Sequence, residues 1–88
     1  METKEGLALR IDYDDENDVA YVRLVDHVNA GESATQIPVE ADEIPGYVIL
    51  DLDKEGALLG IEIVGASRIL RPATLSTARN DETGQDVR

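Results

Sequence analysis

The stretch DLDKEGALLGIE, residues 51–62, carries acidic side chains at its first, third and fifth positions (Asp51, Asp53, Glu55), a glycine at the sixth (Gly56) and a glutamate at the twelfth (Glu62). Hard oxygen ligands at that spacing, with a glycine for the sharp turn, are the pattern of a calcium loop. A second acidic run, Asp12, Asp14, Glu16 and Asp18, offers a similar set of carboxylates. His27 is the one histidine and follows Asp26, so an aspartate-assisted general base, and with it a hydrolase, is one chemistry to weigh. Ser33, Ser67 and Ser76 have no surrounding motif that activates a nucleophile. Paired carboxylates of the glycosidase kind arise by chance in a chain with 19 acids. GALLG lacks the lysine and the following helix of a phosphate loop.

The elements that must hold these residues are strands. Leu7, Leu9, Ile11 and Tyr13 alternate with Ala8, Arg10 and Asp12, the period of a half-buried strand. VAYVRLV (19–25) is rich in β-formers and apolar on both faces, HVNAGES (27–33) is a loop, and ATQIPVE (34–40) alternates again. Pro38 places that third strand at an edge or bulge, because it removes a ladder donor. ADEIPG (41–46) is a loop, and YVILDLD (47–53) and ALLGIEIV (57–64) are two further strands. Ser67 is placed to cap a short helical turn carrying Ile69 and Leu70, which Pro72 then stops. From Pro72 onward the chain is small and polar and reads as a mobile tail, with a short amphipathic helix around 73–79 as the alternative.

Strands on both sides decide against the calcium loop. Such a loop needs two helices to return its twelfth residue to the ion. In a hairpin turning near Lys54–Gly56, Glu62 lies about six residues up the returning strand, on the order of 20 Å from the turn. There is also an internal echo: at an offset of 39, IDYDDENDVAYVRLV lies over LDLDKEGALLGIEIV, matching Asp12 to Asp51, Asp14 to Asp53 and Glu16 to Glu55. Asn17 falls over Gly56, and both residue types tolerate a left-handed backbone. Both segments read as strand, acidic tight turn, strand. Weak cation binding at those turns, by Asp51, Asp53 and Glu55 or by Asp12, Asp14, Glu16 and Asp18, is what remains of the metal reading. Arg23 and Glu62 occupy equivalent places in the echo and are candidates to pair across strands.

Eighty-eight residues make one domain with a thin core, and the absence of Cys, Phe and Trp leaves aliphatic side chains and three Tyr to build it. That shifts weight to oligomerisation, and apolar residues on both faces of two strands point to a homodimer. Residues 1–65 hold 16 acids against four bases, a charge of −12, whereas residues 66–88 carry +1. A body this acidic argues against nucleic acid, whose phosphates need Lys and Arg, and favours basic protein partners. No apolar run approaches the length of a membrane helix. METKEG is polar and lacks the apolar stretch of a leader, so the expected location is the cytoplasm.

The echoing segments resemble a small bacterial and archaeal family, the DUF2283 domain of unknown function, whose members open with a strand, YD, a turn and DALYIRL, against IDYDDENDVAYVRLV here. They close with VILDYDEDGRLVGIEILDAS, against YVILDLDKEGALLGIEIVGAS here, and the likeness spans about residues 9–68. The loop-rich stretch 27–46 is somewhat long for the pattern, and the residues after Leu70 lie outside it. The resemblance implies a small antiparallel β-rich fold and supplies no catalytic, cofactor or ligand residues. Through members taken to be encoded beside small toxin genes, it also implies an antitoxin-like role.

The expectation is an α+β, mainly β, domain over residues 1–71: an antiparallel meander of about five strands with a short helical turn near the C-terminus, then a polar tail over 72–88. The expected function is non-enzymatic, an acidic module that binds a basic protein partner without cofactor, with Arg68 and Arg71 as partner-binding candidates. A divalent-cation-responsive protein and a hydrolase around Asp26 and His27 are the alternatives.

Overall fold

The computed structural model describes residues 9–80. Strands β1 (Arg10–Asp14), β2 (Val19–Arg23), β3 (Thr35–Val39), β4 (Tyr47–Leu52) and β5 (Leu58–Val64) form an antiparallel sheet. Two helical turns follow, α1 (Ala66–Ile69) and α2 (Pro72–Leu75), and then the short β6 (Arg79–Asn80), which runs parallel to β1. The order across the sheet is β3-β4-β5-β2-β1-β6. The five expected strands are all present. They are arranged as a hairpin, β1–β2, joined to a three-stranded meander, β3–β4–β5, rather than as one continuous meander. Residues 72–80, which composition assigns to the tail, lie in α2 and β6; 81–88, and Leu7 of the first alternating run, lie outside the described residues.

The echo in the sequence becomes a pseudo-two-fold arrangement in the sheet. β2 and β5, the second strands of the two echoing hairpins, pair at the centre with β1 and β4 outside them. The pairs Tyr21↔Glu62 and Arg23↔Gly60 exchange under the offset of 39, and Val22↔Ile61 maps onto itself. Likewise Asp12↔Tyr21 maps onto Asp51↔Gly60.

Register divides the side chains between two faces. One face is apolar: Ile11, Val22, Ile61, Leu50 and Ile37 form one row, and Tyr13, Ala20, Ile63, Val48 and Val39 the next. Ala20, Ile63 and Ala66 are its buried centre, with Ile69 and Leu70 packed on it from the helical segment. The opposite face carries the polar side chains, Arg10, Asp12 and Asp14 from β1, Tyr21 and Arg23 from β2, Glu62 from β5 and Asp51 from β4, alongside the apolar Val19, Val64 and Ile49 and the ring of Tyr47. The loop from residue 24 to 34 carries the chain from β2 to β3 past β5 and β4. It is tied at its ends by the Leu24 N–H to the Leu59 carbonyl and the Ala34 N–H to the Leu52 carbonyl. No helix among the described residues is long and apolar enough to cross a membrane.

Candidate functional site

The polar face holds the two charged residues that are buried among the described residues, Asp12 and Asp51, each 6 % exposed. They are the pair that the echo aligns, one on each outer strand of the pseudo-two-fold. A carboxylate out of water needs partners, and the two find different ones. Arg23 Nη2 donates to Asp12 Oδ2 at 2.6 Å, the one ion pair among the described residues. Tyr21 OH donates to Asp51 Oδ2 at 2.8 Å, and Ser33 Oγ, from the crossing loop, donates to Asp51 Oδ1. The Tyr21 ring reaches Asp51 by lying across β5 at Gly60, where a Cβ would collide with the ring. Burial, and next the bond to Asp51, push the Tyr21 phenol well above its ordinary pKa. Arg23 therefore serves Asp12 and does not pair with Glu62, which stands opposite Tyr21 and Ile49.

An open groove of about 570 Å³ crosses this face, lined by Asp12, Asp14, Asn17, Val19, Tyr21, Arg23 and Glu62. Beside it His27 shares a second hollow with Tyr21, Arg23, Val28 and Asp51. His27 and Asp26 are both exposed, and no hydrogen bond between them occurs among the described residues. The Ser33 hydroxyl donates its hydrogen bond to Asp51 and not to an imidazole. The arrangement holds a carboxylate, a phenol and a hydroxyl in one chain of hydrogen bonds.

The turn carboxylates are engaged with the backbone. Asp14 accepts from the N–H groups of Glu16 (3.1 Å) and Asn17 (3.2 Å) and from Asn17 Nδ2 (2.8 Å). These bonds, the Asn17 amide first, hold its carboxyl below the usual range. Asp53 Oδ1 accepts from the N–H groups of Glu55 and Ala57, both at 2.9 Å. Gly56 is left-handed at φ 89°; in the first turn the left-handed residue is Asp18 at φ 58°, one place beyond the aligned Asn17. The stretch 51–62 is thus a hairpin: Asp51 is in β4 under the crossing loop, Asp53 closes the turn, Glu55 is exposed and Glu62 is in β5. No group of three or more His, Asp or Glu converges among the described residues.

Asp18 does most to join the elements. Its backbone carbonyl accepts from the N–H groups of Gly65 and Ala66 at 3.0 Å. Its carboxylate accepts from Tyr13 OH (2.7 Å), the Ser67 N–H (2.9 Å) and Ser67 Oγ (2.8 Å). Ser67 is therefore not the cap of α1. The N-cap is Gly65, at φ 83°, and Asp18 supplies the acceptors for the first N–H groups from across the fold. The Tyr13 hydroxyl, and then Ser67, hold the Asp18 carboxyl below its ordinary pKa, with Arg68 nearby adding to the effect.

A family profile described as "Protein of unknown function (DUF2283)" matches residues 10–67. The chain belongs to the DUF2283 family. No curated protein and no solved structure matches it. The matched DUF2283 region begins with β1 and ends at Ser67, so it contains strands β1 to β5 and the whole Asp18 junction, but not β6. Arg68, just beyond, donates from Nε to the Pro45 carbonyl at 3.0 Å and ties α1 to the β3–β4 loop. Arg71 is exposed at the start of α2. Sequence reasoning missed Asp18 as a junction and Ser33 as a partner of Asp51. Gly60 did carry a cue, since a glycine inside a strand marks a close approach.

Proposed function

We propose that this DUF2283 chain is a non-catalytic, cytoplasmic interaction module that binds a basic protein partner through the carboxylates at the ends of its sheet, in the manner of an antitoxin. The observation that carries the reading is how little of its negative charge is matched by a positive partner within the chain. The chain has a net charge of −11, yet Arg23–Asp12 is the one ion pair among the described residues. Asp15 and Glu16 in the first turn and Glu40, Asp42 and Glu43 in the β3–β4 loop are exposed, at the same end of the sheet. Neighbouring strands lie about 4.8 Å apart, so these two groups span roughly 20 Å, a spacing suited to a segment bearing several Lys or Arg. Such contacts steer association and weaken with salt.

Pull-down from native lysate at low and high salt tests the reading. The expected result is retention of a basic protein at low salt, its release at high salt, and its loss with Asp42→Lys plus Glu43→Lys. Arg71→Ala separates a contribution of the C-terminal arginines from that of the acidic end. If nothing is retained at low salt, or the charge-reversed variant retains the same protein, the reading fails.

A further inference from the structure

The apolar face of the sheet is only half occupied. The cluster around Ala20, Ile63 and Ala66 takes in Ile11, Tyr13, Val22, Ile61, Ile69 and Leu70, and no side chain of β3 or β4. Ile37 is 42 % and Val39 39 % exposed, and their partners Leu50 and Val48 remain partly open. The strip from β3 to β5 on this face contains no charged side chain. Residues 1–8 and 81–88 contribute Met1, Leu7, Ala8 and Val87 as apolar side chains. Among the described residues the buried apolar core is Ala20, Leu59, Ile63 and Ala66, with no large side chain fully buried, which is small for a domain expected to fold alone.

We propose that this half-face is a self-association surface, on which two copies of the chain pack β3 and β4 against their counterparts about a two-fold axis. A copy fits where a basic partner does not, because a Lys or Arg laid on the strip would lose its hydration with no carboxylate opposite. An uncharged apolar surface is complementary to itself, as an isologous contact requires. Contact is through the face and not the edge, because Pro38 in the middle of β3 has no N–H for a further ladder. The inference is independent of the partner reading, and the two respond to salt in opposite directions. Two chains of charge −11 repel at their acidic ends, so screening tightens the dimer, whereas it loosens a complex with a basic partner.

Sedimentation equilibrium of the full chain, run in about 50 mM and about 500 mM salt, tests this. The expected result is a reversible dimer, severalfold tighter at high salt. Ile37→Asp, at an exposed edge position, is expected to weaken it at least tenfold while circular dichroism shows an unchanged sheet. Asp15→Asn, far from the strip, should leave it intact or slightly tighter. Should Ile37→Asp fail to fold, amide exchange on the unsubstituted chain still decides, with protection in β4 rising as concentration rises. A monomer at about 100 µM in both salts overturns the proposal. So do a dimer unaffected by a folded Ile37→Asp and a dimer that dissociates at high salt.

Discussion

Asp18 shows how one residue can set a tertiary junction. Its left-handed backbone turns the carbonyl toward Gly65 and Ala66 while the carboxylate meets Tyr13 and Ser67. These partners favour the ionised form, so the folded-state pKa is depressed. A depressed carboxyl pKa stabilises the fold above the unfolded value, about 3.9, and that contribution is lost as pH falls through the lower folded value. Asp18→Asn should therefore lower the melting temperature at neutral pH and flatten its decline in acid, because the variant has no such proton to gain. Thermal melts from neutral pH to about pH 2 check this, and an unchanged acid limb would place the linkage elsewhere, Asp14 being the next candidate. The Tyr21–Gly60–Asp51 crossing makes a second residue-scale prediction. A methyl at Gly60 collides with the Tyr21 ring, so Gly60→Ala is expected to cost about 2 kcal/mol by overpacking. In a Tyr21→Ala background it should cost much less, since the ring is gone and the two sites share one space. Urea denaturation of the four chains measures the coupling; additive costs would mean that the ring does not depend on the glycine.

At the scale of elements, strands and turns were legible because each has a local cause. Period-two alternation, and for β2 the density of β-formers, placed the five strands, and Pro38 put β3 at an edge or a bulge, of which it occupies the edge. The acidic turns were legible as turns because Asp accepts from the N–H groups just after it, as Asp14 and Asp53 do. Strand order was not legible, because insertion of β5 beside β2 follows from the pairing of two similar hairpins and not from any local pattern. The echo contained that information, yet an offset of 39 between similar segments predicts likeness, not contact. Composition pointed to a polar tail from Pro72, with a short helix around 73–79 as the alternative; a helical turn does form, as Pro72 starts α2 and the Arg71 carbonyl accepts from Thr74 and Leu75. The candidate site was half legible, since its aspartates were named while their partners, distant in sequence, were not. The turns also differ in a testable way. Gly56 is left-handed with open space where a Cβ would stand, so Gly56→Ala meets only the backbone penalty, about 1 kcal/mol. Asn17→Ala, at the aligned position, removes the Nδ2 bond to Asp14 but no left-handed conformation. Chemical denaturation of Gly56→Ala checks the penalty; no loss would mean the turn relaxes to another type.

For the whole molecule, charge and the thin core work against each other. Net charge far from zero favours solubility and strains the compact state by self-repulsion, and at −11 on 88 residues that repulsion acts on a core of four buried apolar side chains. Any ion that screens the carboxylates should therefore raise the melting temperature. Whether calcium does more than screen depends on how the turn carboxylates are engaged. Asp14 and Asp53 already accept backbone N–H groups, Asp12 holds Arg23 and Asp51 holds Tyr21 and Ser33. A calcium ion would have to displace those donors and still lack a third converging carboxylate among the described residues. Calcium, magnesium and sodium chlorides at matched ionic strength are accordingly expected to raise the melting temperature by similar amounts, with no saturable heat in calorimetry. A calcium-specific rise that disappears in Asp53→Asn would instead assign the second turn a cation-binding role. Self-association adds a separate dependence on protein concentration, so the salt series should be run on folded Ile37→Asp as well. If screening of self-repulsion is the cause, the rise with salt persists in that monomer while the dependence on concentration does not.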